Sequence, residues 1–206
     1  MTDPAKFFSG VSDAARFREA IRRFDDENSR DPNIEVAGTG TWPRELLHAK
    51  RLTAWTLQLC PGASEQLRLA SRCQHICRWQ IPREKYPMDR VGYLKWRNAL
   101  KAFHANKAGE ILREVGYPED AIAKVQDLNL KKNFPSDPDS RVLEDALCLI
   151  FLEYQFAPLA DRTSEEKMIN ALRKSWNKMT AAAREHALKL SFAPRERSLL
   201  EKALKA

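Results

Sequence analysis

Of the four histidines in this 206-residue chain, three stand where a side chain can do chemistry with its neighbours. A helix turns about 100° per residue. On that rule His48 lies in line with Leu52, Trp55 and Leu59, an apolar stripe. His104 falls among Tyr93, Leu100, Ala108 and Ile111, again an inward direction. Asp145 shares a face with Cys148, Leu149 and Leu152 in a segment that is apolar on nearly every side. A carboxylate there is costly unless a cation or several donors meet it. His75 sits in "SRCQHICRWQIPREKYPMDR" and falls with Arg68, Arg72 and Trp79, away from the Cys73/Ile76 stripe. That is a solvent face or the wall of a basic pocket. Each group alone has an ordinary reading: a hydrogen-bonded core histidine, or an aspartate that caps a helix or pairs with a buried arginine. Their conjunction on separate helices is how helical bundles build metal sites. The expectation is therefore a divalent metal, zinc, manganese or iron, held by His48, His75, His104 and Asp145. His186, in an Ala/Lys/Arg-rich terminal helix, receives no role.

The same region is rich in cations. Arg72, Arg78, Arg83, Arg90, Lys95 and Arg97 are candidates to bind phosphate or another anion, because guanidinium meets phosphate in a bidentate fork. Trp79 and Tyr86 are candidates to stack on a base. Asp89 precedes a helix and is read first as its start. A formal net charge of +7 favours an anionic partner: a small phosphate ester, a nucleotide or RNA.

The elements that must position these groups are helical. Apolar residues recur at helical spacing, and strand-like alternation is nearly absent. The spacing predicts helices over about 13–27, 42–60, 63–79, 89–115, 117–132 and 140–159, then about 164–178, 180–190 and 195–205. Residues 31–41 read as a loop holding Pro32, Gly38 and Gly40. No repeat or linker stands out, so the fold class expected is all-α, one helical bundle domain over 1–206. No apolar run is long enough to span a bilayer, and "MTDPAKFFSG" lacks a signal peptide's apolar segment. The expected address is the cytoplasm, without a membrane partner. There Cys60, Cys73, Cys77 and Cys148 are read as thiols, with Cys73 and Cys77 sharing a helix face as small buried hydrophobes rather than zinc ligands.

The order "ELLHAKRL", "RCQHICRW", "FHANKAGEIL", "LEDALCL" resembles the HD-type metal-dependent phosphohydrolases. In that superfamily a first His, a His-Asp doublet and a late Asp bind metal. The resemblance implies an HD-like bundle in which His48 is the first His and Asp145 the late Asp. His104 matches the His before a segment here written "KAGEI". Aligning "QHICR" on the usual "HDIGK" puts Gln74 on the His and His75 on the Asp, while a shift by one puts His75 on the His and Ile76 on the Asp; either register loses a carboxylate, so the resemblance implies a single metal or none rather than two. Over nearly its whole length the chain is also identified as a member of the domain of unknown function 4202 family. The strings are "FREAIRRFDDENSRDPN", "PRELLHAKRLTAWTLQLCPGASEQLRLASRCQHICRWQIPREKYPMDRVGYLKWR", "FHANKAGEIL", "LEDALCLIFLE" and "LRKSWNKMT". That family implies no activity. The first expectation for function is thus a metal-dependent hydrolase acting on a phosphate-containing, nucleotide-like substrate. Iron on the same ligands would instead suit oxygenase chemistry. The alternative is a non-catalytic nucleotide- or RNA-binding module with a degenerate HD site, using the interleaved aromatics and cations of 78–97.

Overall fold

The computed structural model describes residues 7–8 and 10–205. Most of the N-terminal stretch read as lacking a signal segment therefore lies outside the described residues. The protein is predominantly helical, as expected, and divides into two compact units, Met1–Ser140 and Arg141–Ala206.

The first unit contains α1 (Ala14–Ser29), a two-strand ribbon of β1 (Ile34–Ala37) and β2 (Gly40–Pro43), α2 (Arg44–Leu59), α3 (Glu65–Cys73), α4 (Arg90–Glu114) and α5 (Glu119–Leu130). Side chains start several of these helices. Asp13 accepts from the backbone N–H of Ala15 and Arg16, Ser64 from Leu67, and Asp89 from Gly92. Asp89 is thus a helix cap, its expected role. Phe17, Phe24, Leu52, Leu67, Leu69, Ile76, Leu100, Leu112 and Ile122 form the buried core. Around it α4 packs on α5, and α3 packs on both α2 and α5.

Two expectations are corrected here. Residues 31–41 are not simply a loop: β1 and β2 pair antiparallel, with Val36 opposite Thr41 and Ala37 opposite Gly40. Gly38, at φ 60°, supplies the positive φ that so tight a turn demands. The segment 63–79 is not one helix either. It stops at Cys73, because Ile76 N–H bonds to the Cys73 carbonyl and Cys77 N–H turns to Asn28 Oδ1 at 3.1 Å. Cys77 then adopts φ 53°, and short 3-10 turns follow at Arg78–Gln80 and Arg83–Lys85. Cys73 and Cys77 therefore do not share a helix face. Both are buried, as is Cys148, while Cys60 is partly exposed. Burial pushes the Cys73 and Cys77 thiols up to about 12, which leaves them poor nucleophiles at neutral pH.

Gly92 marks a close approach. A Cβ there would meet the Pro87 carbonyl oxygen at 2.0 Å. Alanine would improve helix propensity by about 1 kcal/mol, yet it must push the 82–87 loop off α4. A Gly92→Ala protein is expected to be less stable by about 2 kcal/mol net, read in urea unfolding. An unchanged midpoint would show that the loop yields freely.

The second unit holds most of α6 (Pro138–Ile150), a π-helical turn at Phe151–Gln155, α7 (Phe156–Ala160), α8 (Glu165–Lys178), α9 (Ala181–Leu188) and α10 (Pro194–Leu204). The π turn immediately precedes the stretch where Pro158 can offer no N–H to Tyr154, so the expected helix over 140–159 is interrupted. Here α8 packs on α10, and Leu143, Leu149, Phe156, Met168, Leu172, Leu199 and Leu200 are buried. Among the described residues, no helix is long and apolar enough to cross a membrane.

Candidate metal centre

Three segments of the first unit bring three imidazoles together. The start of α2 is fixed from outside, since Pro43 has no side-chain cap to offer. Asp31 Oδ2 accepts from the Glu45 N–H at 3.0 Å, and its Oδ1 accepts from the Asn33 N–H at 2.9 Å. That remote cap sets the first turn of α2, which carries Glu45 and, one turn on, His48. The turn after α3 carries His75, and α4 carries His104. The His48 and His75 rings are stacked, with centroids 4.4 Å apart and planes 10° from parallel. The His75 and His104 centroids are 5.7 Å apart.

These rings are poor bases. His48 and His104 are buried, and each is pushed down to about 3. For His48 the chief cause is burial, followed by the neighbouring His75; for His104 it is burial, partly offset by its bond to Ile76. His75 lies well below its usual value, through burial and then the neighbouring Arg78, His104, Arg97 and Lys131. All three are therefore neutral at physiological pH. His104 Nδ1 is 2.7 Å from the Ile76 carbonyl oxygen, which can only accept. Nδ1 must carry the proton, and Nε2 is left with a bare lone pair. Among the described residues, neither that Nε2 nor the buried Nε2 of His48 has a hydrogen-bond partner.

A neutral imidazole with Nδ1–H on a carbonyl and Nε2 open is the form that binds a metal. The donor chemistry thus fits a divalent cation. The present geometry is not yet a coordination shell. Among the described residues, no group of three or more His, Cys, Asp or Glu is arranged to hold a metal ion. Stacked rings direct their in-plane nitrogens in parallel, so binding a metal would turn at least one of them.

The other expected site residues fall into distinct places. Asp145, in the second unit, is buried, and both of its oxygens accept from Thr180: from N–H at 2.9 Å and from Oγ1 at 2.6 Å. It braces the cap of α9, the ordinary reading for such a residue. Arg72 is committed to Asp25 in a bidentate pair, both bonds 2.6 Å. Arg83 donates to the carbonyls of Tyr86, Pro87 and Asp89 and so holds its own loop in shape. Both guanidiniums bond within the protein. Arg78 lies 4.8 Å above the Trp96 ring and 3.9 Å from Glu45. Arg97 is half-buried, and its charge is felt at His75, His104 and Arg78. Arg90 and Lys95 are exposed, and Trp79 and Tyr86 are half-buried.

One residue at this site was missed. Glu45 is buried, burial pushes its carboxyl up, and its Oε2 has no hydrogen-bond partner. Its signal was present in "ELLH": Glu and His three apart share a helix face, the spacing found in carboxylate metal bundles.

No curated protein and no solved structure matches the chain. One family model does, described as "Domain of unknown function (DUF4202)", over residues 18–200. That span covers nearly the whole chain, and the protein belongs to the DUF4202 family.

Proposed function

We propose that this protein is a metal-dependent hydrolase of the HD-like type, acting on a phosphate-containing, nucleotide-like substrate. The observation that carries the reading is the His104 tautomer: Nδ1–H is spent on the Ile76 carbonyl and Nε2 stands buried and unpartnered, beside a second orphaned Nε2 on His48. Leaving buried acceptors unmade costs about 1 to 3 kcal/mol each, which a fold tolerates where the groups have a ligand. A further observation supports the likeness to the HD superfamily. In the register "QHICR" on "HDIGK", Cys77 takes the place of the glycine, and Cys77 has φ 53°, a conformation that favours glycine.

His48, His75 and His104 would hold the ion. A divalent zinc, manganese or iron ion supplies, when bound, an acidified water and a Lewis acid for a phosphoryl oxygen. The chain does the rest. Arg78, Arg97 and Lys131 all lower the basicity of His75, so the edge of the cluster is electropositive and attracts an anion. Trp96 holds the Arg78 guanidinium over its ring and anchors itself by donating Nε1–H to the Ile81 carbonyl at 2.8 Å. Of the basic residues singled out in the sequence, Arg78 and Arg97 are thus the ones this reading uses for phosphate.

Metal content of tag-free protein, purified without chelators, tests the reading. About one equivalent of zinc, manganese or iron is expected. It should be lost from His48→Ala and His104→Ala proteins, with hydrolysis of nucleotide substrates falling at least about 100-fold. Retention of all metal in both variants defeats the proposal.

The second reading, a nucleotide- or RNA-binding module, is favoured by the exposure of Lys85, Arg90, Tyr93 and Lys95 around the start of α4. It requires RNA affinity that falls steeply with salt and is lost when Arg90 and Lys95 are replaced by Ala.

A further inference from the structure

We infer that Glu45 supplies the carboxylate of this site, completing a Glu45, His48, His75 and His104 ligand set for one divalent cation. The inference rests on the metal-site reading above and adds to it the anionic ligand.

Glu45 is 6 % exposed, and among the described residues its Oε2 has no hydrogen-bond partner. Its contacts with the neutral His75 and with Arg78 are long: Oε2 is 3.6 Å from His75 Nδ1 and Oε1 is 3.9 Å from Arg78 Nε. The chain shows elsewhere what a committed, part-buried pair looks like, in Arg72 and Asp25 with two bonds of 2.6 Å. A carboxylate that is buried and poorly paired is costly. A cation placed between Oε2, the His75 ring and the open Nε2 of His48 would remove that cost. The backbone of Glu45 is held to this task from outside, by the Asp31 bond to its N–H.

Two further points agree. The doublet position that ordinarily carries an acid is here His75, so the cluster lacks a carboxylate unless one comes from another element. Glu45, one turn before His48 on α2, faces that same histidine pair. Asp145, the acid expected from sequence, has both oxygens engaged by Thr180. Charge is also sensible. One carboxylate and three neutral imidazoles leave a divalent ion with a net positive charge, beside Arg78, which suits an anionic substrate.

The test is a cobalt(II) titration of chelator-treated full-length protein, followed by visible absorption, with circular dichroism as the check on folding. Glu45→Gln keeps the shape and removes the charge. It is expected to weaken cobalt binding at least about tenfold and to change the d–d band. Glu45→Asp, which withdraws the carboxylate by one methylene, is expected to bind between the two. Asp145→Asn should bind cobalt as the parent does. If Glu45→Gln and Glu45→Asp both bind with parental affinity and spectrum, the inference is overturned and the histidine site stands. If Asp145→Asn alone loses the ion, the ligand is Asp145 and the inference is again overturned. If the parent gives no cobalt spectrum at all, the metal-site reading falls and takes the inference with it.

Discussion

Chelator-treated protein is expected to lose stability steeply as the pH falls below about 6.5, because two buried imidazoles and the half-buried His75 become charged on unfolding. The sign follows from where the protons go. His48 and His104 are pushed down to about 3 in the folded chain, against 6.5 in a free side chain. Above 6.5 neither state is protonated and nothing changes. Between 6.5 and about 3 the unfolded chain takes up protons that the folded one refuses. Stability present at neutral pH is therefore lost on acidification, by about 1.4 kcal/mol per pH unit for each ring. Over the whole window that amounts to about 5 kcal/mol per ring, comparable to the total stability of many domains. His75, well below its usual value, acts in the same direction. Glu45 acts against it: burial pushes its carboxyl up, so the folded chain gains a proton there first. Urea unfolding between pH 7.5 and 5 reads the net slope. A His104→Asn protein should show a slope shallower by about 1.4 kcal/mol per pH unit, whatever its stability at pH 7.5. A flat parental profile would mean that the rings are already solvated or charged in the folded state.

Arg72→Ala is the substitution expected to cost most in folding, about 2 to 4 kcal/mol, because it empties the place of a buried guanidinium and strands the half-buried Asp25. Arg72 is 8 % exposed and reaches from α3 to Asp25 on α1 through two bonds of 2.6 Å. Its guanidinium also lies 6.0 Å from the Phe7 ring centroid. The pair thus ties the first helix to the element that leads into His75. Urea unfolding of Arg72→Ala, Asp25→Asn and the double variant would separate the pair from its parts. The double variant should be far less destabilised than the sum of the singles. A cost below about 1 kcal/mol for Arg72→Ala would show the pair to be dispensable, as exposed pairs are. It would also return Arg72 to the list of groups available to an anion.

Much of the site was legible in the sequence because its first conditions are local. The 3.6-residue period put His48 on the stripe of Leu52, Trp55 and Leu59, and put His104 in line with Tyr93, Leu100, Ala108 and Ile111. These residues are buried except for Leu59, which is half-buried, and Tyr93, which is exposed near the start of α4. Asp145 was read as buried by the same rule, and it is. Periodicity says which way a side chain points on its own helix, but not what it meets. So Asp145 pointed inward in the sequence, while its partner Thr180, 35 residues on, had to come from the fold. Arg72 and Arg83 looked alike as cations; one is spent on Asp25 and the other on three carbonyls of its own loop.

By itself the sequence determined a helical chain, its helix starts at Asp13, Ser64 and Asp89, and an inward-facing His on each of two helices. Those features depend on residues within a turn or two of each other. The tertiary structure decided the rest. Asn28 takes the Cys77 N–H from 49 residues away and ends α3 at Cys73. Only because that helix ends does the chain turn so that His75 stacks on His48 and the Ile76 carbonyl meets His104. A hydrogen bond between distant residues overrode local helix propensity, since a buried N–H must be satisfied and more than one acceptor was in reach.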